Sequence, residues 1–370
     1  MAVVGGLPVA CAPSRGARPS AGTHTPSRGA GPPSAGTRAA RVRVEATGDA
    51  ALETEAWNRN GEVSEGPAAC PVCFRPISLT SGLDARCATC RRGYPFVTRG
   101  MYHDLTVTAE AGSRKGFEAG LRPPGTEIFR NPAVGYAYER GWRQGFSWAG
   151  FPGVDPEFEM ASRDLAEVAG ADEVVIDLSC ATGVFTRKLA SSNLFGMTYA
   201  VDFSESMLEG VYENNVRDGI QGVVSVRGDA ARLPFATGSV AAVHAGAAIH
   251  CWPQPELAMA EIARVLKPGG RAVLSTFLLS PVQEALGSAL DSVRTGAPDE
   301  LRQVLSGAAG VIRQGSNGSF RFWTRGELET LAAQCGFTDF NATVDKQFIL
   351  FCVTKPEEEA EVVYSPPTSG

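Results

Sequence analysis

The sequence predicts an α/β protein, a doubly wound and mostly parallel sheet with a small cysteine-rich module in front of it. Three stretches carry that expectation. The first is Val174–Leu189, VVIDLSCATGVFTRKL, where an apolar strand bearing Asp177 runs through Ser179, Cys180, Ala181, Thr182 and Gly183 into a helical pattern. A buried parallel strand turning tightly into a helix is the first βα unit of such a sheet. The second is Met197–Val201, a short apolar run ending in Asp202. The third is a pair of Cys-x-x-Cys knuckles, Cys70/Cys73 and Cys87/Cys90, upstream of both.

Taken in order, the chain opens on 44 residues without Asp or Glu but with Arg15, Arg18, Arg28, Arg38, Arg41 and Arg43. They hold a near-repeat, PSRGARPSAGT then PSRGAGPPSAGT. Pro and Gly this dense preclude a helix, and nothing there can bury a core. Such a composition describes an organellar transit peptide over residues 1–45, chloroplast rather than mitochondrial because it lacks an amphipathic helix. A disordered basic tail on a cytosolic protein is the alternative. The whole chain has 34 Lys+Arg against 40 Asp+Glu, net −6. Without those six arginines the balance is 28 to 40, net −12, which disfavours nucleic acid as a bulk partner. With 370 residues and 44% hydrophobic content, one large or two modest domains fit. No apolar run approaches the length of a membrane-spanning helix, so no integral membrane segment is expected.

An acidic linker, residues 46–67, leads to the module at 68–106. Thirteen residues separate Cys73 from Cys87. Two knuckles so spaced read as a zinc ribbon, with Cys70, Cys73, Cys87 and Cys90 filling a tetrahedron and the Zn²⁺ therefore structural. Disulfides or four ordinary thiols are the alternatives, the first disfavoured in a reducing compartment. Arg86, Arg91, Arg92 and Arg99 make one face basic, a solvated surface or else an RNA or lipid-headgroup contact. Residues 107–160 are rich in rings, among them Phe117, Phe129, Tyr136, Tyr138, Trp142, Phe146, Trp148, Phe151 and Phe158. Any one of them reads as packing, but together they are the best candidate for an apolar acceptor pocket.

In the main domain a helix over Pro156–Ala169 precedes the first strand. Asp202, at the tip of the second, is placed to accept hydrogen bonds from a ribose diol, and Ser204 is a plausible N-cap for the next helix. A dinucleotide would want Gly-x-Gly-x-x-Gly in the first turn, whereas here the small residues alternate at Ser179, Ala181 and Gly183. This Asp-x-small-x-small-x-Gly pattern resembles motif I of the class I S-adenosylmethionine (SAM)-dependent methyltransferases. Val226-Arg227-Gly228-Asp229-Ala230, the strand Val240–Ala245, and Glu261–Gly270 (EIARVLKPGG) before a strand at Arg271–Phe277 are similar to that family's later motifs, in its order. The likeness covers about residues 161–355. It extends to a plant and algal chloroplast family near the quinone-biosynthesis C-methyltransferases. The ribbon is similar to those of methyltransferase-activating proteins and bacterial rRNA guanine methyltransferases, with Cys90 where the latter usually have histidine.

The resemblance implies a Rossmann-like, seven-stranded, mostly parallel sheet with an antiparallel last strand, formed from Phe337–Val344 and Phe348–Thr354. It implies SAM as cofactor, held by Asp177, Ser179, Cys180, Ala181 and Gly183, by Asp202, Phe203 and Met207, by Asp229 and Ala230 at the adenine, and by Ala245. Phe203 and Met207 stand equally as core. His250 matches a position where many small-molecule methyltransferases carry histidine, and it could accept a proton from the acceptor; a structural role is the alternative. His244 and Cys251 read as packing. The family usually has glycine at the positions of Ser179 and Ala181, and a misplaced methyl costs about 1–3 kcal/mol. The segment before motif I is expected to fold over the cofactor as a lid, residues 280–320 to form a substrate cap, and the acidic tail 356–370 to be disordered. The implied activity is methyl transfer in the chloroplast to a small or prenyl-lipid/quinone-type acceptor, with a peripheral membrane or plastoglobule association left open. An rRNA or tRNA methyltransferase and a non-catalytic SAM-binding scaffold are the rivals, and oligomeric state is not legible.

Overall fold

The computed structural model describes residues 66–109, 143–295 and 320–357. The expected transit segment, nearly all of the acidic linker, residues 110–142 of the aromatic segment, 296–319 of the expected cap and the tail from 358 lie outside the described residues.

A short β-ladder, β1 (Ala85–Arg86) with β2 (Gly93–Tyr94), carries the second cysteine knuckle. Then come β3 (Phe96–Val97) and β4 (Tyr102–Asp104). The main domain follows as α1 (Val154–Leu165), β5 (Gly170–Leu178), α2 (Val184–Ser191), β6 (Phe195–Asp202), α3 (Glu205–Asp218), β7 (Val223–Arg227), β8 (Val240–Ala245), α4 (Pro255–Val265) and β9 (Leu266–Phe277). It ends with α5 (Pro281–Thr295), α6 (Arg325–Gln334), β10 (Thr338–Asp345) and β11 (Phe348–Thr354).

Seven strands stand in the order β10-β11-β9-β8-β5-β6-β7, with β11 antiparallel to its neighbours on both sides. The interior strands are mostly apolar along their buried stretches, as strands covered on both faces are; every residue of β8 is buried, as are the first six of β11. At one edge β10 carries several polar residues (Thr338, Asp339, Asn341, Asp345) and is mostly exposed, as an unpaired edge tolerates.

The opposite edge departs from expectation. The sheet has nine strands, not seven, because the cysteine module adds β4 parallel to β7 and β3 antiparallel to β4. The edge of β7 is thereby paired with chain from the same protein. Asp104 at the end of β4 meets Arg227 at the end of β7 with both side chains nearly buried (2.8 Å).

Three strands begin earlier than the apolar pattern suggests, β6 by two residues, at Phe195, and β5 and β9 by more. β5 starts at Gly170 rather than Val174, with a register shift between them, because Ala171 and Asp172 are exposed and leave no apolar signal. β9 starts at Leu266, so Lys267-Pro268-Gly269-Gly270 is a bulged entry to the strand rather than a stop before it. Glycine is required there: Gly269 has φ 75, and a Cβ on Gly270 would lie 2.9 Å from the Ala241 carbonyl oxygen. The helix ends are conventional. Ser204 Oγ accepts the Met207 N–H at α3 (3.3 Å), and Thr324 with Glu327 forms a reciprocal capping box at α6. Among the described residues no helix is long and apolar enough to cross a membrane.

Candidate active site

Strands β9, β8, β5, β6 and β7 all end at one edge of the sheet. The chain proceeds from β5 outward to β6 and β7, then returns to build β8 and β9 on the other side. The loops after β5 and β8 therefore diverge, which opens a crevice at the carboxyl edge.

The turn after β5 forms one wall. Ser179 (φ 57), Ala181 (φ 50) and Gly183 (φ 80) are all left-handed, at alternate positions. That is the physical reason for the small-residue spacing. A left-handed backbone costs about 1–2 kcal/mol for any residue with a Cβ and nothing for glycine. The burden of Ser179 and Ala181 therefore lies in the backbone, and Ala181, 8% exposed, keeps its methyl inside the protein. From behind, Arg187 and the Asn214 amide both donate to the Thr182 carbonyl (2.9 and 3.0 Å).

Asp177 lies beneath this turn. One carboxylate oxygen bonds His244 Nδ1 (2.8 Å) and the other accepts from Thr186 Oγ1 (2.5 Å), with Asp177 1% exposed. Its side chain ties β5, β8 and α2 together and offers no surface to a ligand. Cys180, Met207 and Ala245 likewise have buried side chains. Cys180 packs with Leu208 and Val211, and its N–H is bound to the Val201 carbonyl (3.1 Å). What these three can offer a ligand comes from the backbone.

The partly buried members of the predicted set do converge. The Asp202 carboxylate accepts the Ala181 N–H (3.0 Å) and the Ser204 N–H (2.8 Å), joining the β5 turn to the tip of β6. The Asp202 carbonyl accepts the Gly228 N–H (3.1 Å), which joins β6 to the end of β7. There Asp229 Oδ1 accepts the Ala231 N–H (3.0 Å), fixing the carboxylate beside Ala230. Burial pushes the Asp202 carboxyl up to about 6, against the two N–H donors that favour its ionised form.

Two residues outside the predicted set brace the loop after β8. Trp252 donates its indole N–H to Ser179 Oγ (2.9 Å), linking the loop after β8 to the first turn. Glu157, on α1 and 1% exposed, accepts from Ser275 Oγ (2.6 Å), which in turn accepts the Ala247 N–H (2.8 Å) and so holds Ala247 at φ 53. A tryptophan two residues beyond His250 was a readable signal; Glu157, on a helix facing a strand 118 residues later, was not. His250 is buried, with Nδ1 3.1 Å from Thr276 Oγ1 and its ring edge-on to Phe277 (5.0 Å) and Phe320 (5.7 Å).

Phe277, at the carboxyl end of β9, is surrounded by rings: Phe146 at 5.1 Å, Phe151 at 4.6 Å, Phe322 at 5.6 Å and Trp148 at 6.4 Å. The described part of the aromatic segment thus packs at the β9–β11 end of the edge, and Phe151 also meets Phe348 (4.7 Å). Trp148 remains 62% exposed. Strand spacing puts Phe277 about 14 Å along the edge from Asp202, three strands away.

In the cysteine module, the sulfurs of Cys70, Cys73, Cys87 and Cys90 lie within 4.8 Å of one another. Cys70 to Cys90 and Cys73 to Cys87 are each 3.5 Å, too long for an S–S bond of about 2.05 Å. The knuckles repeat one backbone: Cys70 bonds Arg75 and Phe74 as Cys87 bonds Arg92 and Arg91, and the residue after each knuckle is left-handed (Phe74 φ 56, Arg91 φ 61).

An alternating left-handed turn, a carboxylate at the tip of the second strand and another beyond the third suit an adenosyl ligand carrying a diol and an exocyclic amine. Residues 176–274 match the family described as methyltransferase domain. Two uncharacterized chloroplastic methyltransferases of Arabidopsis thaliana are 39% and 38% identical to the chain over 303 residues, each alignment covering 78% of this chain and 78% of the relative. A demethylmenaquinone methyltransferase of Desulfitobacterium hafniense is 27% identical over 167 residues, 45% of this chain and 66% of that one. The chain belongs to this methyltransferase family and is a SAM-dependent enzyme.

Proposed function

We propose that the enzyme methylates a small, apolar acceptor of the quinone or prenyl-lipid type inside the chloroplast. The single observation that carries the acceptor class is the ring-lined end of β9, where Phe146, Trp148, Phe151 and Phe322 gather on Phe277 beside His250. Such a wall suits a flat, greasy substrate better than a polyanion. The likeness to a demethylmenaquinone methyltransferase supports the same class. The compartment rests on the chloroplastic relatives and on the acid-free, arginine-bearing first 44 residues. Three of the four arginines of the module's basic face have local partners, Arg86 on the Arg91 carbonyl, Arg92 on the Val107 carbonyl and Arg99 with Glu209, which favours a solvated surface over an RNA-binding face.

SAM supplies a methyl group already activated on sulfonium, so the protein's task is alignment and exclusion of water. In this reading Asp202 receives the ribose diol, Asp229 the adenine amino group with Ala230 beside it, and the turn from Ser179 to Gly183 cradles the amino-acid end against α2. Phe203, half-buried next to Asp202, flanks the adenosyl group. In this reading His250, held on Thr276 beside Phe277, stands next to the ring-lined wall and takes up a proton from the acceptor. The four cysteines hold one structural Zn²⁺, since thiolates about 2.3 Å from a tetrahedral metal stand about 3.8 Å apart, close to the spacing found.

The test is transfer from methyl-labelled SAM to plastid lipid extract and, in parallel, to plastid rRNA. Label in an organic-soluble product supports the proposal; label in RNA alone overturns it.

A further inference from the structure

The loop from Arg227 to Arg232 carries Asp229, and the cysteine module grips it at both ends. At its start, Arg227 pairs with Asp104 of β4 (2.8 Å), and Asp104 is itself fixed by the Thr106 N–H and hydroxyl (3.0 and 2.7 Å). The same guanidinium donates to the Phe203 carbonyl (3.0 Å) and lies over the Phe203 ring (4.6 Å), one residue from Asp202. At the loop's end, Arg232 donates to the carbonyls of Pro71 (2.6 Å) and Val72 (3.0 Å), both inside the first knuckle. Phe74, just after that knuckle, sits between the guanidinium groups of Arg232 (4.1 Å) and Arg264 (4.2 Å). Arg232 also closes the loop on itself, its N–H bound to the Asp229 carbonyl (2.9 Å). Further contacts run along the same border: Ala69 N–H to the Pro234 carbonyl and Ala236 N–H to the Pro67 carbonyl, each 2.8 Å.

We propose that the four-cysteine module is a built-in clamp on the adenine-binding loop, with Arg227 and Arg232 as positioning residues that aim Asp229 and Phe203 at the nucleobase. The proposal rests on the reading that Asp229 meets the adenine amino group. The geometry explains why the module is woven into the sheet instead of hanging from it. Both knuckle carbonyls that Arg232 uses lie between Cys70 and Cys73, so the fold of the knuckle sets their direction. A planar guanidinium suits both junctions, since it can donate in its plane while presenting its face to a ring.

The experiment measures, by calorimetry on the full chain, the affinity of S-adenosylhomocysteine against that of its inosine analogue, which lacks the amino group. The clamp predicts that Arg232→Gln and Arg227→Lys each weaken S-adenosylhomocysteine about three- to tenfold and shrink its preference over the analogue, because Asp229 is displaced. A merely structural role, felt as a smaller folded fraction, would weaken both ligands equally and leave the preference intact; that result overturns the proposal, as does unchanged binding in either folded variant. Arg227→Lys keeps a cation opposite Asp104, and Arg232 is only half-buried, so at least one folded variant is expected. Asp229→Asn separates the premise from the inference. Loss of the preference in Asp229→Asn but not in the arginine variants defeats the clamp alone, and a preference that survives Asp229→Asn defeats the adenine assignment beneath it.

Discussion

Replacing Ala181 by glycine tests the account of the first turn. In an ordinary buried strand, Ala→Gly loses about 0.8 kcal/mol of methyl burial and about 0.5–1 kcal/mol to the greater freedom of glycine in the unfolded chain. Ala200, fully buried in β6, is such a site, and Ala200→Gly should destabilise by about 1.5 kcal/mol. At Ala181 the same losses apply, but φ 50 means that glycine recovers about 1–2 kcal/mol of left-handed strain. The two effects nearly cancel, so Ala181→Gly should leave stability within about 0.5 kcal/mol of wild type. Urea denaturation of both variants gives the comparison, and S-adenosylhomocysteine affinity should be unchanged or tighter in Ala181→Gly. Equal destabilisation by the two changes, or a tenfold loss of affinity at Ala181, would show that the turn does not have this geometry.

Other outcomes follow from the same site. Because burial raises the Asp202 carboxyl to about 6, the free protein takes up a proton there as pH falls through that value. If the ribose needs the carboxylate, the Kd for S-adenosylhomocysteine rises below pH 6, by up to about tenfold per unit, and Asp202→Asn binds weakly with that dependence gone. A Kd flat from pH 7 to 5 in wild type would contradict the assignment. Trp252→Phe keeps an aromatic ring, though a smaller one, and removes the donor to Ser179 Oγ, and should weaken S-adenosylhomocysteine several-fold with little change in Tm. Glu157→Ala leaves the Ser275 hydroxyl without its buried acceptor and should lower stability by about 1.5–3 kcal/mol in urea denaturation. Elemental analysis should find about one zinc per chain, and its removal by a chelator should lower Tm; a metal-free protein that is stably folded with four titratable thiols at Cys70, Cys73, Cys87 and Cys90 would refute the ribbon's metal.

What the sequence disclosed, and what it concealed, follows from the range of each interaction. The β5 turn and the Ser204 cap are local, so Asp177, Gly183 and Ser204 announce them. The approach of Asp202 to the turn could be expected because parallel strands from consecutive βα units place their tips side by side. Apolar pattern, however, reports burial and not pairing, which is why the exposed start of β5 and the bulged start of β9 went unseen. The fate of each side chain within a motif is also hidden: Asp177 is turned inward to His244 and Thr186, and Met207 into the core, although both sit in stretches that otherwise face the crevice. Least legible was the junction of module and sheet. Asp104 and Arg227 stand 123 residues apart, and β3 and β4, two and three residues long, carry too little pattern to declare that they join the same sheet.

One adenosyl group is expected to lie across the ends of β5, β6 and β7. The most direct measurement is a crystal structure with S-adenosylhomocysteine bound. In it the ribose hydroxyls should lie within hydrogen-bonding distance of Asp202 and the adenine amino group on Asp229. An adenosyl group found away from those two carboxylates would contradict that expectation.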